Sequence, residues 1–283
     1  MLLSELCLHT SVERTLASFI NSMPQAVLLV AEKGFGKTTL AVCLADEVTG
    51  GKKHLQLFVE PLPDTRSITI DQARQIKSFF SLRTNDAQSK RVVTIDKADT
   101  MTIEAQNSLL KILEEPPQNC HLILKSSRPQ KLLSTIRSRV TAYTLISPTK
   151  ADIATYFKAQ GHSEADIAKA MALAGALPGL IASILKQENS DIADSISEAK
   201  NLLGLTTLER LKLVDKLTKN KEQASSLLEA LKTISEAAIQ GSVQSGKSTT
   251  KWRDILAGAN MALLQLEQNA SAKLVFTNLF LSM

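Results

Sequence analysis

At 283 residues, 44% apolar but only 4% aromatic, the chain is long enough for two or three domains with aliphatic, helix-rich cores. Its net charge of +5 permits a nucleic-acid or acidic partner, fits an ordinary solvated surface equally well, and argues for neither. Cys7, Cys43 and Cys120 are too far apart for a zinc pattern or a disulfide framework, so no zinc site is expected. No apolar run approaches bilayer length, and MLLSELCLHT lacks the basic start and long apolar core of a signal peptide. A cytoplasmic protein is the expectation.

Helix and strand patterns alternate through residues 1–148. A helix near 11–22 precedes a short apolar strand at 25–30, and a second helix runs from about 37 to 48. HLQLFVE (54–60) reads as a strand, and 67–82 as a helix capped by Thr69. RVVTID (91–96) is a third strand, followed by a helix over 102–115 that Pro116 and Pro117 stop. CHLILKS (120–126), a helix over 129–139 and TAYTLI (141–146) complete the alternation. The pattern predicts an α/β domain with a mostly parallel five-stranded sheet and helices on both faces, where ligands bind at the carboxyl ends of the strands. After Pro148 the strands stop: residues 149–188 read as short helices and 189–283 as longer ones.

Two stretches compete as phosphate-binding loops. GSVQSGKS (241–248) matches G-x-x-x-x-G-K-[ST] to the letter, whereas AEKGFGKT (31–38) has Ala31 in place of the first glycine. The motif works only where a strand delivers the turn and a helix follows it, so that backbone N–H groups point at the phosphates. Before Gly241 the apolar residues Leu227, Leu228, Leu231, Ile234 and Ala238 follow helical spacing, so 241–248 is expected to be a helix–helix loop. Before Ala31 stands the strand QAVLLV, and after Lys37 the helix TTLAVCLADEV. The imperfect match therefore has the right setting. Gly34, Gly36, Lys37, Thr38 and Thr39 are the candidate phosphate contacts, with Thr38 also a magnesium ligand.

The second half of such a site is an acid at the end of an apolar strand. VVTID supplies Asp96, which would hold magnesium through water beside Thr38. The next residue is Lys97, and a protonated ammonium has no lone pair with which to take a proton from water. Asp99 is offset by two residues and does not simply replace a base. Weak or absent turnover follows, because general-base help supplies about two to four orders of magnitude.

Residues 95–140, with LLKILEEPP (109–117) and TIRSR (135–139), strongly resemble the clamp-loader branch of the AAA+ ATPases, and most of all the delta-prime family of bacterial DNA polymerase III. That resemblance implies an AAA+ P-loop core over 1–148, a helical lid over 149–188 and an all-α oligomerising collar over 189–283. It implies a hetero-oligomer of gamma/tau-type and delta-type subunits that opens a sliding clamp and loads it on primed DNA, with no membrane partner. ATP and Mg²⁺ are implied as weakly bound or vestigial ligands. Lys97 stands where motor subunits carry their catalytic Glu, and Leu180 stands where they place a nucleotide-sensing Arg. These departures favour delta-prime over an ATP-hydrolysing gamma/tau-type subunit or another DNA-linked AAA+ ATPase, which is the alternative. The resemblance makes Arg139 an arginine finger acting in trans on a neighbour's ATP; the other role for such a residue is a surface cation near a helix C-terminus. Arg137 is open between interface and solvent; Ser126 and Ser127 are either the polar sensor of the terminal phosphate, with Ser127 the candidate named for it, or ordinary strand-end serines. Arg74 and Lys77 are either DNA-phosphate contacts or a solvated helix face.

Overall fold

The computed structural model describes residues 5–22, 24–62, 64–82, 89–186, 191–244, 246 and 248–283. The chain divides into two compact units, Met1–Asp152 and Ile153–Met283. The first contains α1 (Thr10–Ser22), β1 (Ala26–Val30), α2 (Lys37–Thr49), β2 (Gln56–Val59), α3 (Ile70–Ser81), β3 (Arg91–Ile95), α4 (Ile103–Glu114), β4 (Cys120–Ser126), α5 (Ser134–Arg137) and β5 (Thr141–Thr144). α6 (Lys150–Ala159) begins at its end.

The five strands lie in the order β2-β3-β4-β1-β5, with every pairing parallel. β4 lies between β1 and β3, and all seven of its residues are buried. Strand side chains alternate between the two faces. Leu28, Val93, Ile95, Leu122 and Leu124 share a core with Ala73 and Ile76 of α3 and Ala105 and Leu109 of α4. Residues of the opposite parity, including Lys125, face the other side, where α2 packs on β3 and β4. The α/β expectation holds, with helices on both faces.

Local signals account for most boundaries. Thr69 and Gln72 form a capping box at the start of α3, and Thr102 Oγ1 accepts from Ala105 N at 3.2 Å to open α4. The helix expected over 129–139 is instead a 3₁₀ turn, Pro129–Lys131, and the four-residue α5. Leu132 and Leu133 between them are extended. The buried side chain of Gln106 on α4 holds that break. Its Oε1 accepts from Leu133 N at 2.8 Å, and its Nε2 donates to Met101 O at 3.1 Å and Lys131 O at 3.4 Å. A tertiary contact thus satisfies backbone groups that a continuous helix would have paired internally. β5 ends at Thr144 rather than 146, although Leu145 N still donates to Val30 O at 2.8 Å.

The second unit is helical in its described residues: α7 (Glu164–Ala174), α8 (Pro178–Leu185), α9 (Asp191–Gly204), α10 (Thr207–Leu217), α11 (Lys221–Gln244), α12 (Thr250–Glu267) and α13 (Ala272–Ser282). α11 packs against α7, α9 and α12, and α13 against α10 and α12. The α12–α13 approach is close, because a Cβ added at Gly258 would come within 2.7 Å of Leu279 Cδ1. α11 continues through Gly241–Gln244, so the expected loop at 241–248 is shorter than its motif. A single helical glycine costs only about 1 kcal/mol against alanine, less than the buried Leu227, Leu228 and Leu231 of the same helix contribute. Ser245 and Lys247 of that motif lie outside the described residues.

Candidate functional site

β1 delivers the chain into the loop 31–36, and α2 starts at Lys37. Gly34 (φ 87°) and Gly36 (φ 100°) take left-handed conformations that a Cβ resists, which lets the loop turn tightly onto the helix. Ala31, in place of the first motif glycine, has no positive φ and is buried. The first backbone N–H groups of α2, at Lys37, Thr38 and Thr39, lack intrahelical acceptors and open toward the carboxyl edge of the sheet.

Lys37 folds back over this loop. Its Nζ donates to Ala31 O (2.6 Å), Glu32 O (2.8 Å) and Ser127 Oγ (2.9 Å). Burial pushes its pKa down from 10.5 to about 8, against the opposing pull of Asp96 and Asp99. Between the two candidate serines the geometry is clear. Ser127 is exposed and faces the loop lysine, whereas buried Ser126 donates to Asp99 Oδ1 at 2.7 Å and accepts from Arg128 N at 3.0 Å. Asp99 also pairs with Arg128 Nε at 3.5 Å, so its carboxylate is committed to the β4 edge.

Thr38 and Asp96, the expected magnesium pair, are brought together by a third residue. The Lys125 ammonium donates to Thr38 Oγ1 at 2.9 Å and lies 3.0 Å from Asp96 Oδ1. It also sits 4.9 Å from the centre of the Phe58 ring, and its side chain is fully buried. Burial pushes its pKa down, while the pair with Asp96 pulls it back up. The backbone cradle fits a phosphate, but a divalent cation does not fit between Thr38 and Asp96 alongside this ammonium. The sequence reading missed Lys125. The signal was a lysine in the otherwise apolar CHLILKS, since lysine is almost never fully buried without a partner.

Lys97 adopts φ 45° and is exposed, and its backbone N–H donates to Asp96 Oδ1 at 2.8 Å. The residue after Asp96, where a water-activating carboxylate would be needed, is thus a lysine. Leu180 is buried within the second unit.

Arg139 lies elsewhere. It precedes β5 at the amino edge of the sheet, whereas Lys37 follows β1 at the carboxyl edge, roughly 17 Å away for a five-residue strand. Its Nη2 pairs with Glu114 at 2.9 Å, and its Nη1 donates to Thr135 O at 3.2 Å. It borders a cavity of about 160 Å³ lined also by Phe80, Ile112, Pro116 and Pro117. Arg137 and Lys77 are exposed, and Arg74 pairs with Asp71 at 2.9 Å. Among the described residues no group of three or more His, Cys, Asp or Glu side chains gathers to hold a metal, and no helix is long and apolar enough to cross a membrane.

Residues 52–149 match the family described as "DNA polymerase III, delta subunit". The chain is 28% identical over 152 residues to a replication factor C small subunit of Methanococcus vannielii, a match covering 53% of this chain and 47% of the relative. It is 33% identical over 115 residues to the DNA polymerase III subunit delta' of Pseudomonas aeruginosa, covering 40% of this chain and 35% of that one. The chain thus spans about half the length, or less, of the curated relatives it matches. Among solved structures, a DNA polymerase III gamma subunit-related protein of Thermotoga maritima aligns over 95% of this chain and 97% of its own, with a TM-score of 0.54 and 18% identity, which speaks for the fold alone. Over residues 52–149 the chain is thus similar to the DNA polymerase III delta-subunit family, and its curated relatives include delta' subunits and replication factor C small subunits.

Proposed function

We propose that the chain acts as a delta-prime-like subunit of a DNA polymerase III clamp loader, helping to place the sliding clamp on primed DNA. It does not hydrolyse ATP itself. It lends Arg139 to the ATP of a neighbouring gamma/tau-type subunit, with delta-type subunits completing the ring. The first 148 residues serve as the AAA+ core, 149–188 as the lid and 189–283 as the collar.

One observation carries this reading: Arg139 and Lys37 stand at opposite edges of one parallel sheet. A guanidinium at the amino edge is out of reach of its own loop but available to another subunit's nucleotide. It stays charged and forks onto phosphate oxygens, as the role demands. Lys97 and the ammonium between Thr38 and Asp96 support the absence of turnover in the chain's own loop.

The experiment is the DNA-stimulated ATPase of the assembled loader with Arg139→Ala. The expected result is a loss of about three to five orders of magnitude at the site that Arg139 faces, with assembly intact. Unchanged turnover would remove the finger, and failure to assemble with gamma/tau-type and delta-type subunits would remove the clamp-loader role.

A further inference from the structure

A phosphate loop of this kind places its divalent cation between the hydroxyl that follows the loop lysine and the acid that ends the neighbouring strand. In this chain both groups are already engaged by one cation of the protein's own. Lys125 Nζ sits 2.9 Å from Thr38 Oγ1 and 3.0 Å from Asp96 Oδ1. The Phe58 ring, 4.9 Å away, covers it on a further side. The arrangement is rigid at its base. Lys125 is paired in register with Leu29 in the middle of the sheet, its side chain has no exposed surface, and every residue of β4 is buried.

Magnesium demands near-octahedral oxygen ligands at about 2.0–2.1 Å, and an ammonium bonded to both Thr38 and Asp96 fills the space that the ion and its bridging water would take. The lysine also answers the electrostatic need that a metal would meet, since it neutralises Asp96 beside the positive end of α2. A fully buried ammonium needs partners, and the two side chains that supply them here are the ones a metal would use.

We propose that Lys125 is a covalent stand-in for the divalent cation, closing the Thr38–Asp96 position to metal. The inference rests on residues 31–38 being a phosphate-type loop, and it stands independently of assembly into a clamp loader. The chain's own loop is then a metal-free site, and phosphoryl transfer there lacks the ion that would draw charge from the leaving oxygens.

The test is Mn²⁺ binding to the full chain, followed by electron paramagnetic resonance, with Mn²⁺ alone and with Mn²⁺ plus ATP. The wild type should show no Mn²⁺ site that disappears in Asp96→Asn. Lys125→Ala should gain one, at least tenfold tighter than any wild-type binding, and Lys125→Ala combined with Asp96→Asn should lose it. Lys125→Ser serves if the alanine variant does not fold. The comparison of wild type with Asp96→Asn needs no change at Lys125. An Asp96-dependent Mn²⁺ site in the wild type overturns the proposal. So does a folded Lys125 variant that gains none, because then the lysine is not what keeps the metal out. A gained site in a chain that fails to join its partner subunits would leave this inference standing and remove only the clamp-loader role.

Discussion

Lys37 donates a hydrogen bond to Ser127, Nζ to Oγ at 2.9 Å, so the loop lysine and the end of β4 close on each other across the carboxyl edge of the sheet. The adjacent serine does something else. Ser126 is buried and donates to Asp99 at 2.7 Å. Ser126→Ala should therefore cost about 1.5–3 kcal/mol, the range for a hydrogen bond to a charged group. Ser127→Ala should cost about 0.5–1 kcal/mol, because Lys37 keeps two carbonyl acceptors. Urea denaturation of both variants checks the order, and the reverse order would contradict these assignments.

Gln106 links α4 to the segment that carries Arg139. Replacing it with Leu removes the acceptor of Leu133 N and the donor to Met101 O and Lys131 O. The expected cost is about 1–3 kcal/mol, since Met101 O is left buried without this donor and the part-buried Leu133 N loses its acceptor. The same variant should lower the Arg139-dependent ATPase of the assembled loader, because the turn before α5 sets where Arg139 stands. Denaturant melts measure the first effect and the loader assay the second.

The Arg139–Glu114 pair is half exposed, so its contribution to stability is small, about 0–1 kcal/mol. Glu114→Gln should leave the melting temperature nearly unchanged. It should also leave Arg139 free to reach a neighbour, so loader ATPase is maintained or raised. A Glu114→Gln loader as inactive as Arg139→Ala would mean that the pair itself positions the finger.

Lys37 gives a pH signature. Its pKa in the folded chain is about 8, against 10.5 ordinarily, chiefly because burial penalises the ammonium. Between those values the unfolded chain holds the proton and the folded chain has released it. Stability from this group therefore rises with pH from about 8 to 10.5. The informative quantity is the melting-temperature difference between wild type and Lys37→Met, because groups common to both chains cancel. That difference should move in favour of the wild type as pH rises through the window, and a flat or falling difference would contradict it.

Much of this arrangement is legible in the sequence because local signals and tertiary contacts agree. The capping pairs at Thr69 and Thr102, the glycines at 34 and 36 and the apolar run of β4 each name their own structure. The break before α5 is not legible, since it depends on Gln106 reaching across from another helix. Nor is the end of α11, where the continuing helix absorbs Gly241. Asp96 and Thr38 are readable as a pair from motif spacing, but Lys125 enters between them only once β4 lies beside β1 and β3 and α2 covers that face. The carboxylate of Asp99 is likewise drawn away by Ser126 and Arg128, contacts that no spacing rule encodes.

The most direct measurement is ATP turnover by the isolated, purified chain with Mg²⁺, beside a Lys37→Ala control. The account predicts no turnover above the control, because Lys97 follows Asp96 and Lys125 holds the position between Thr38 and Asp96. Turnover that disappears with Lys37→Ala would contradict it and make the chain a motor-type ATPase.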